Sequence, residues 1–271
     1  MHYDPVKNIF AAWIKRHPAL RILFYKSLDL LFLRSWYVRR ELKHLSRILK
    51  GNSISILDAG SGYGQYSYFM SKTFNFSEML SVDVKEEWLE DCRFFFEKRN
   101  IKNVVFEVKD LTKIDYKNIF DLILCVDVME HIEDDVTVFK NYAAALKTGG
   151  YLIINTPSIF GGSDVHDDDD ESFIGEHART GYSKEDFESK LHPLGFQTVT
   201  SKYSYGFWGD IAWRIGIKIP ILSVNFSKFS LILLPFYFLL ILPFTLLFML
   251  IDYLSNNDKG TGITFVAQKK P

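Results

Sequence analysis

Between residues 53 and 157, short apolar runs alternate with stretches whose apolar positions recur every three or four residues. The runs 53–57, 79–83, 104–108, 120–126 and 150–156 predict strands, and 64–73, 86–99 and 134–147 predict the helices between them. Strand–helix alternation of this kind builds a parallel sheet covered on both faces. Residues 196–203 and 262–267 read as two further strands, so the expected fold is α/β with a seven-stranded, mostly parallel sheet. Upstream, residues 6–50 have helical spacing (Ile9, Ala12, Trp13, then Leu20, Leu23, Phe24, Leu28, Leu31), interrupted at Pro18. Downstream, residues 229–251 hold no charge at all. The expected organisation is a helical cap over 1–50, a core over 51–205, a hydrophobic insertion over 206–259 and a closing strand over 260–271.

In a parallel sheet, ligands sit at the carboxyl ends of the strands. The first strand runs into Asp58-Ala59-Gly60-Ser61-Gly62-Tyr63-Gly64. Glycine suits positions where the backbone takes positive φ or where a ligand must approach without meeting a Cβ. The helix that follows turns its free amides toward the same spot. A dinucleotide fingerprint needs its third glycine one residue later, where Gln65 stands. The second strand ends in Asp83, a carboxylate suited to a vicinal diol. The third leads to Asp110 and Leu111, an acceptor for an exocyclic amine beside an apolar side chain. The fourth ends in Cys125-Val126-Asp127, followed by Glu130 and His131.

In this order, DAGSGYG, SVDV, VKDL, FDLILCVDVMEHI and LKTGGYLIINTP resemble the type-11 branch of class I S-adenosylmethionine-dependent methyltransferases, across residues 53–157. The resemblance implies a Rossmann-like sheet and S-adenosylmethionine as cofactor. It places Asp58, Gly60, Ser61, Gly62, Asp83, Asp110, Leu111 and Val126 around that cofactor. Ser61 stands where cysteine is common, a change without consequence for a loop that works through backbone amides. The segment Cys125–Ile132 is similar to the corresponding stretch of the polyprenyl-phenol O-methyltransferases of ubiquinone biosynthesis, where a Glu-His pair is associated with a divalent metal or with activation of the phenol.

Methyl transfer from a sulfonium is an in-line displacement, so alignment and exclusion of water do most of the work. A base is needed only where the acceptor must lose a proton. Glu130 and His131 are the first candidates for that role, against a plainer reading in which they cap the next helix. His177, in a Glu-His-Ala-Arg-Thr-Gly-Tyr segment similar to one found in several type-11 enzymes, is the second, with Arg179 as an acceptor-binding cation. The acid run Asp167–Glu171 reads as a solvated loop, and no metal site is expected.

Charge and composition change the picture in one respect. Residues 1–50 carry eleven Lys or Arg against three Asp or Glu, while the whole chain has a formal net charge of −1. A basic, aromatic opening segment points to an anionic surface. Two cysteines, Cys92 and Cys125, make no disulfide framework, and the charged first turns give no secretory pattern. In 229–251, seventeen of twenty-three residues are Leu, Ile or Phe, long enough to span a bilayer. A strand of one sheet on each side of the insertion requires an even number of crossings, however. Asp210, Arg214 and Lys218 at i, i+4 and i+8 mark the other half as an interfacial helix. Pro235 and Pro243 are expected to break the apolar run into short pieces that dip into one leaflet.

The function expected is methyl transfer to a membrane lipid or lipid-linked acceptor at the cytoplasmic face of a membrane. The alternatives are a membrane-anchored methyltransferase of a soluble small molecule and a non-catalytic binding module built on the cofactor fold. No nucleic-acid partner is expected, since no Asn-Pro-Pro-Tyr-type motif follows the fourth strand.

Overall fold

A computed structural model of the chain describes residues 17–161 and 178–270. Its centre is one seven-stranded sheet of β1 (Ile54–Ala59), β2 (Phe76–Asp83), β3 (Val104–Val108), β4 (Phe120–Val126), β5 (Leu146–Pro157), β6 (Phe196–Ser204) and β7 (Gly262–Lys269). The strand order is β3-β2-β1-β4-β5-β7-β6, and only β7 runs against the others. The expected seven-stranded Rossmann-like architecture is therefore the observed one. Two boundaries differ from expectation. β2 begins at Phe76, and the fifth strand begins at Leu146, where the glycine-rich Lys147–Gly150 stretch had suggested a helix end.

Strand alternation feeds two cores. Leu57, Ile123, Cys125 and Phe265 face one side of the sheet, while Ile56, Leu124, Ile153 and Val266 face the other. The second layer is covered by α2 (Leu33–Ile48), whose Val38, Leu42 and Leu45 recur at helical spacing and are buried with the strands. α1 (Pro18–Leu31) precedes it, with Pro18 at the first turn where no amide partner is lost, and the two separate at Phe32 in extended backbone. α3 (Gln65–Thr73) and α4 (Glu86–Lys98) follow β1 and β2; α5 (Asp135–Ala145) and α6 (Lys184–Leu191) cover the other face.

The basic cap is less solvated than its composition suggests. Arg21 is 3% exposed and donates from Nε to the Tyr25 hydroxyl, from Nη1 to the Asp91 carbonyl and from Nη2 to the Tyr63 carbonyl, each at 2.7 Å. This ties α1 to the glycine loop and to α4. Arg39 is paired with Asp29, and Arg34 with Asp127.

The insertion between β6 and β7 is a helical hairpin. Its outward arm comprises α7 (Phe207–Trp213), a π turn over Arg214–Lys218 and α8 (Ile219–Phe226). After a turn at 227–229, α9 (Ser230–Leu254) returns as one continuous helix of 25 residues. The expected break at Pro235 and Pro243 does not occur; both lie inside the helix. Each proline removes one backbone bond and sits on an exposed side of the helix, which continues through both. The base is anchored: Asp252 is fully buried and accepts hydrogen bonds from the Tyr37 hydroxyl at 3.0 Å and the Gly209 amide at 3.1 Å. Beyond the base the hairpin stands clear of the sheet. Only 6% of the most apolar window of α9 is buried.

Candidate active site

The carboxyl ends of β1, β2 and β4 meet at one edge of the sheet. Gly60 and Ser61 both donate their amides to the Val82 carbonyl at 2.8 Å, which pins the start of the loop to β2. Gly60, Gly62 and Gly64 all take positive φ. They serve different ends: a Cβ on Gly60 would strike Val128 and one on Gly64 would crowd Cys92, whereas Gly62 looks into open space. Gly62 thus leaves its backbone open, and Gly64 starts α3 without a side-chain cap.

Asp83 closes this loop. One carboxylate oxygen accepts the Gly62 amide at 2.9 Å and the other the Lys85 amide at 3.0 Å. Each oxygen keeps a lone pair, so the carboxylate holds the loop and still presents acceptors to a diol. Asp58 is 2% exposed and accepts the Ser67 hydroxyl at 2.5 Å; burial pushes its carboxyl up to about 7. It supports the loop from beneath. The Ser61 hydroxyl is buried without a hydrogen-bond partner. Asp110 accepts the amide and hydroxyl of Thr112 at 3.0 and 2.6 Å, and these bonds with Lys113 hold it down to about 2. Leu111 is 5% exposed among core residues, and Val126 is half-buried at the end of β4.

Past β4 the chain turns through Asp127, at φ 51, into a short 3-10 turn over Met129–His131. Glu130 is 2% exposed and accepts the Thr156 hydroxyl at 2.9 Å. Burial, and then the charge of Asp127, raises its pKa well above the ordinary carboxylate range. His131 is more open, with Nε2 at 4.0 Å from Glu130 Oε1. The cap of the following helix is Asp134, which accepts the Thr137 amide, so Glu130 and His131 do not serve that purpose.

Arg179, expected to meet the acceptor, is engaged elsewhere. It pairs with Asp135 at 2.5 Å and donates to the Ile132 and Glu133 carbonyls, while Tyr182 and Lys190 also reach Asp135. These bonds fix the segment after the 3-10 turn to α6. His177 and the Asp167–Glu171 run lie outside the described residues. Among the described residues, no group of three or more His, Cys, Asp or Glu is placed to hold a metal.

Sequence reasoning missed Arg34. It lies in the first turn of α2, pairs with Asp127, and has its own amide hydrogen-bonded to the Tyr205 hydroxyl at 3.3 Å. Around it, the Ser35 and Tyr66 hydroxyls are 3.3 Å apart and Gln65 reaches Asp29 at 2.8 Å. Nothing local marks these residues, which lie far apart in the chain.

The chain matches the model of the methyltransferase domain family over residues 50–191, more than half its length, and it belongs to that family. It is 28% identical over 160 residues to phosphoethanolamine N-methyltransferase 1 of Triticum aestivum, covering 54% of this chain and 29% of that one. It is 29% identical over 118 residues to ubiquinone biosynthesis O-methyltransferase of Coxiella burnetii, covering 42% and 48%. The chain thus matches less than half the length of either relative. Among solved structures, phosphoethanolamine N-methyltransferase 2 of Haemonchus contortus in complex with S-adenosyl-L-methionine superposes with a TM-score of 0.60 at 18% identity, over 85% of this chain and 53% of that one. The cyclase SpnF superposes at 0.54 with 13% identity, over 84% and 80%. Its different reaction makes the fold alone no guide to acceptor chemistry.

S-adenosylmethionine is the methyl donor of this family. The described residues fit it: an open glycine with exposed backbone at Gly62, a carboxylate at Asp83 with acceptors to spare, and an orphaned buried hydroxyl at Ser61.

Proposed function

We propose that this methyltransferase works at the cytoplasmic face of a membrane and transfers the methyl group of S-adenosylmethionine to a lipid or lipid-linked acceptor. The observation that carries the reading is the position of the hairpin. β6 runs parallel to β5, so Ser204 and Pro157 stand level at the carboxyl edge, each paired with Gly262. The hairpin therefore leaves the sheet from the edge that holds Gly62, Asp83 and Asp127. Tyr205, the residue between strand and hairpin, touches Arg34 directly.

The surface of the hairpin supports a lipid environment over a protein contact. Leu231, Ile232 and Leu233 are 45%, 67% and 65% exposed in succession. At about 100° per residue, three consecutive positions cover more than half the helix circumference, whereas an oligomer contact covers one face. Phe226 and Phe229 flank the turn at 94% and 79% exposed. Trp208, Trp213, Arg214 and Lys218 on the outward arm are of the kind that settles among headgroups. Lys228 at the turn requires an oblique hairpin, lying in one leaflet, that keeps its ammonium near water.

In this reading Gly60–Gly62 and Asp83 hold the amino-acid and ribose parts of the donor, with Asp58 beneath the loop. Asp110 takes the adenine amine, while Leu111 and Val126 bound the base. S-adenosylmethionine supplies an electrophilic methyl group. Glu130, buried and bonded to Thr156, steadies the turn that carries His131, and His131 takes a proton from an acceptor that must lose one. His177 keeps the same candidate role. A soluble phosphobase acceptor is the second reading, and the Triticum aestivum relative's name favours it. Incubation of the full chain with labelled S-adenosylmethionine and membrane lipid extract, with mass analysis of the labelled product, tests the first reading. With phosphoethanolamine added alongside the extract, label appearing only in the water-soluble phosphobase overturns it.

A further inference from the structure

Beside Arg40, which pairs with Glu41, the basic cap has cations that neither the donor site nor the internal ion pairs use. Arg40, Lys43, His44 and Arg47 recur on one face of α2, and Lys202 of β6 stands across from them. Together with Tyr253 they line a cavity of about 530 Å3 between the helix and the sheet edge. That volume lies in the range of small-molecule sites.

Its charges are unbalanced. The carboxylate in the lining is Glu41, which Arg40 already takes through Nε at 3.0 Å. Among the described residues, Lys43, Arg47 and Lys202 meet no carboxylate. Arg40 is held between the rings of Tyr37 and Tyr253, with its carbon Cζ at 4.7 and 4.8 Å from their centroids, and its Nη2 is buried with no hydrogen-bond partner. Like charges four residues apart on a helix repel, as Lys43 and Arg47 do. A bound anion would offset that repulsion. Val199, exposed on β6, and the half-buried Tyr253 ring supply an apolar wall.

This cavity is distinct from the methyl-transfer site. Arg34, at the edge of that site, precedes Arg40 by six residues and Arg47 by thirteen, about 9 and 20 Å along the helix axis.

We infer that the cavity binds a phosphate ester carrying an apolar body. Arg47 offers a planar donor fork to the phosphate oxygens, Lys43 and Lys202 add point charges, and the apolar wall takes the attached group. Tyr253 belongs to the last turn of α9, so the cavity opens beside the base of the hairpin. The ester is either a phospholipid headgroup or a soluble phosphoester.

The test uses the full chain in non-ionic detergent or on vesicles. Phenyl phosphate is titrated by calorimetry, and flotation compares phosphatidylcholine vesicles with and without phosphatidate. The variants are Lys43→Gln/Arg47→Gln and, on another element, Lys202→Gln; Lys117→Gln/Lys140→Gln is the control of equal charge. Saturable binding of phenyl phosphate that weakens roughly tenfold or more in the cavity variants and not in the control assigns a soluble phosphoester. A phosphatidate preference lost in the cavity variants alone assigns a headgroup. Cavity variants indistinguishable from the control in both arms overturn the site, as does a wild type that shows neither behaviour. A chain that floats on no vesicle speaks against membrane docking, and the phenyl phosphate arm still decides the cavity.

Discussion

Arg34 and Asp127 are paired across 93 residues of chain, joining the first turn of α2 to the bend that follows β4. The bend is held in left-handed backbone and fixed from behind by the Asp127 amide, which donates to the Asn155 carbonyl at 2.8 Å. The cap is thus latched to the acceptor side of the site, with Tyr205 bringing the root of the hairpin to the same point. Removing either partner leaves a half-exposed charge beside Tyr66 and Tyr205. Arg34→Met and Asp127→Asn should each lower the unfolding temperature and expose α1 and α2 to protease. A double-mutant cycle should give a coupling of about 0.5–1 kcal/mol, since the pair is partly screened by solvent. Additive effects in that cycle would show that the latch holds nothing.

Asp83 orders the glycine loop and, in the proposed complex, meets the ribose. Asp83→Ala removes the acceptor of the Gly62 amide along with a charged acceptor worth about 1.5–3 kcal/mol per bond. Calorimetric affinity for S-adenosylmethionine should fall at least tenfold, since about 1.4 kcal/mol is a factor of ten. An unchanged dissociation constant would remove Asp83 from the donor site.

The buried carboxyls give the fold a pH dependence of definite sign. Glu130 and Asp58 hold their protons more tightly in the folded chain than in the unfolded one, whose ordinary values are 4.5 and 3.8. Between those values and the raised ones the native state binds more protons, so stability falls as pH rises. For Asp58 the window runs from 3.8 to about 7; for Glu130 it runs upward from 4.5. Wild-type protein should unfold at a higher temperature near about pH 5 than near about pH 8. Glu130→Gln stays neutral throughout and should flatten that slope. A slope identical to wild type would mean that Glu130 is ionised in the folded protein at neutral pH.

His131 is half open beside Glu130, and His177 is the second histidine at stake. His131→Ala should lower kcat while leaving the donor dissociation constant close to wild type. Full activity in both His131→Ala and His177→Ala would leave alignment of donor and acceptor as the whole mechanism.

The hairpin should return to the side it left. Cysteine placed at Lys184 and at Lys259, both exposed on the sheet body, should react with impermeant reagent from the same face of a membrane; Cys92 and Cys125 are buried and leave the background low. High salt should fail to release the protein and detergent should succeed. A chain that is monodisperse without detergent would instead make the apolar arms an interface between protein copies.

Local pattern determined a large part of this protein. The alternation of apolar runs with helical spacing dictates a parallel sheet, and glycine at alternate positions with acids at strand ends places the donor at its carboxyl edge. Those signals are legible because each depends on backbone conformation and burial within a few residues. The uncharged run announced an apolar helix by composition alone, but not its shape. Pro235 and Pro243 argued locally for breaks, and the structure holds one helix through both. The latch between Arg34 and Asp127 was also beyond sequence reading, as were the burial of Arg21 and the loss of Arg179 to Asp135. A cation in a helix looks the same whether solvated or paired, and its partner is chosen by which elements the sheet brings together. That the apolar hairpin and the methyl-transfer site share one edge follows from β6 running parallel to β5, a matter of strand direction that tertiary structure alone decides.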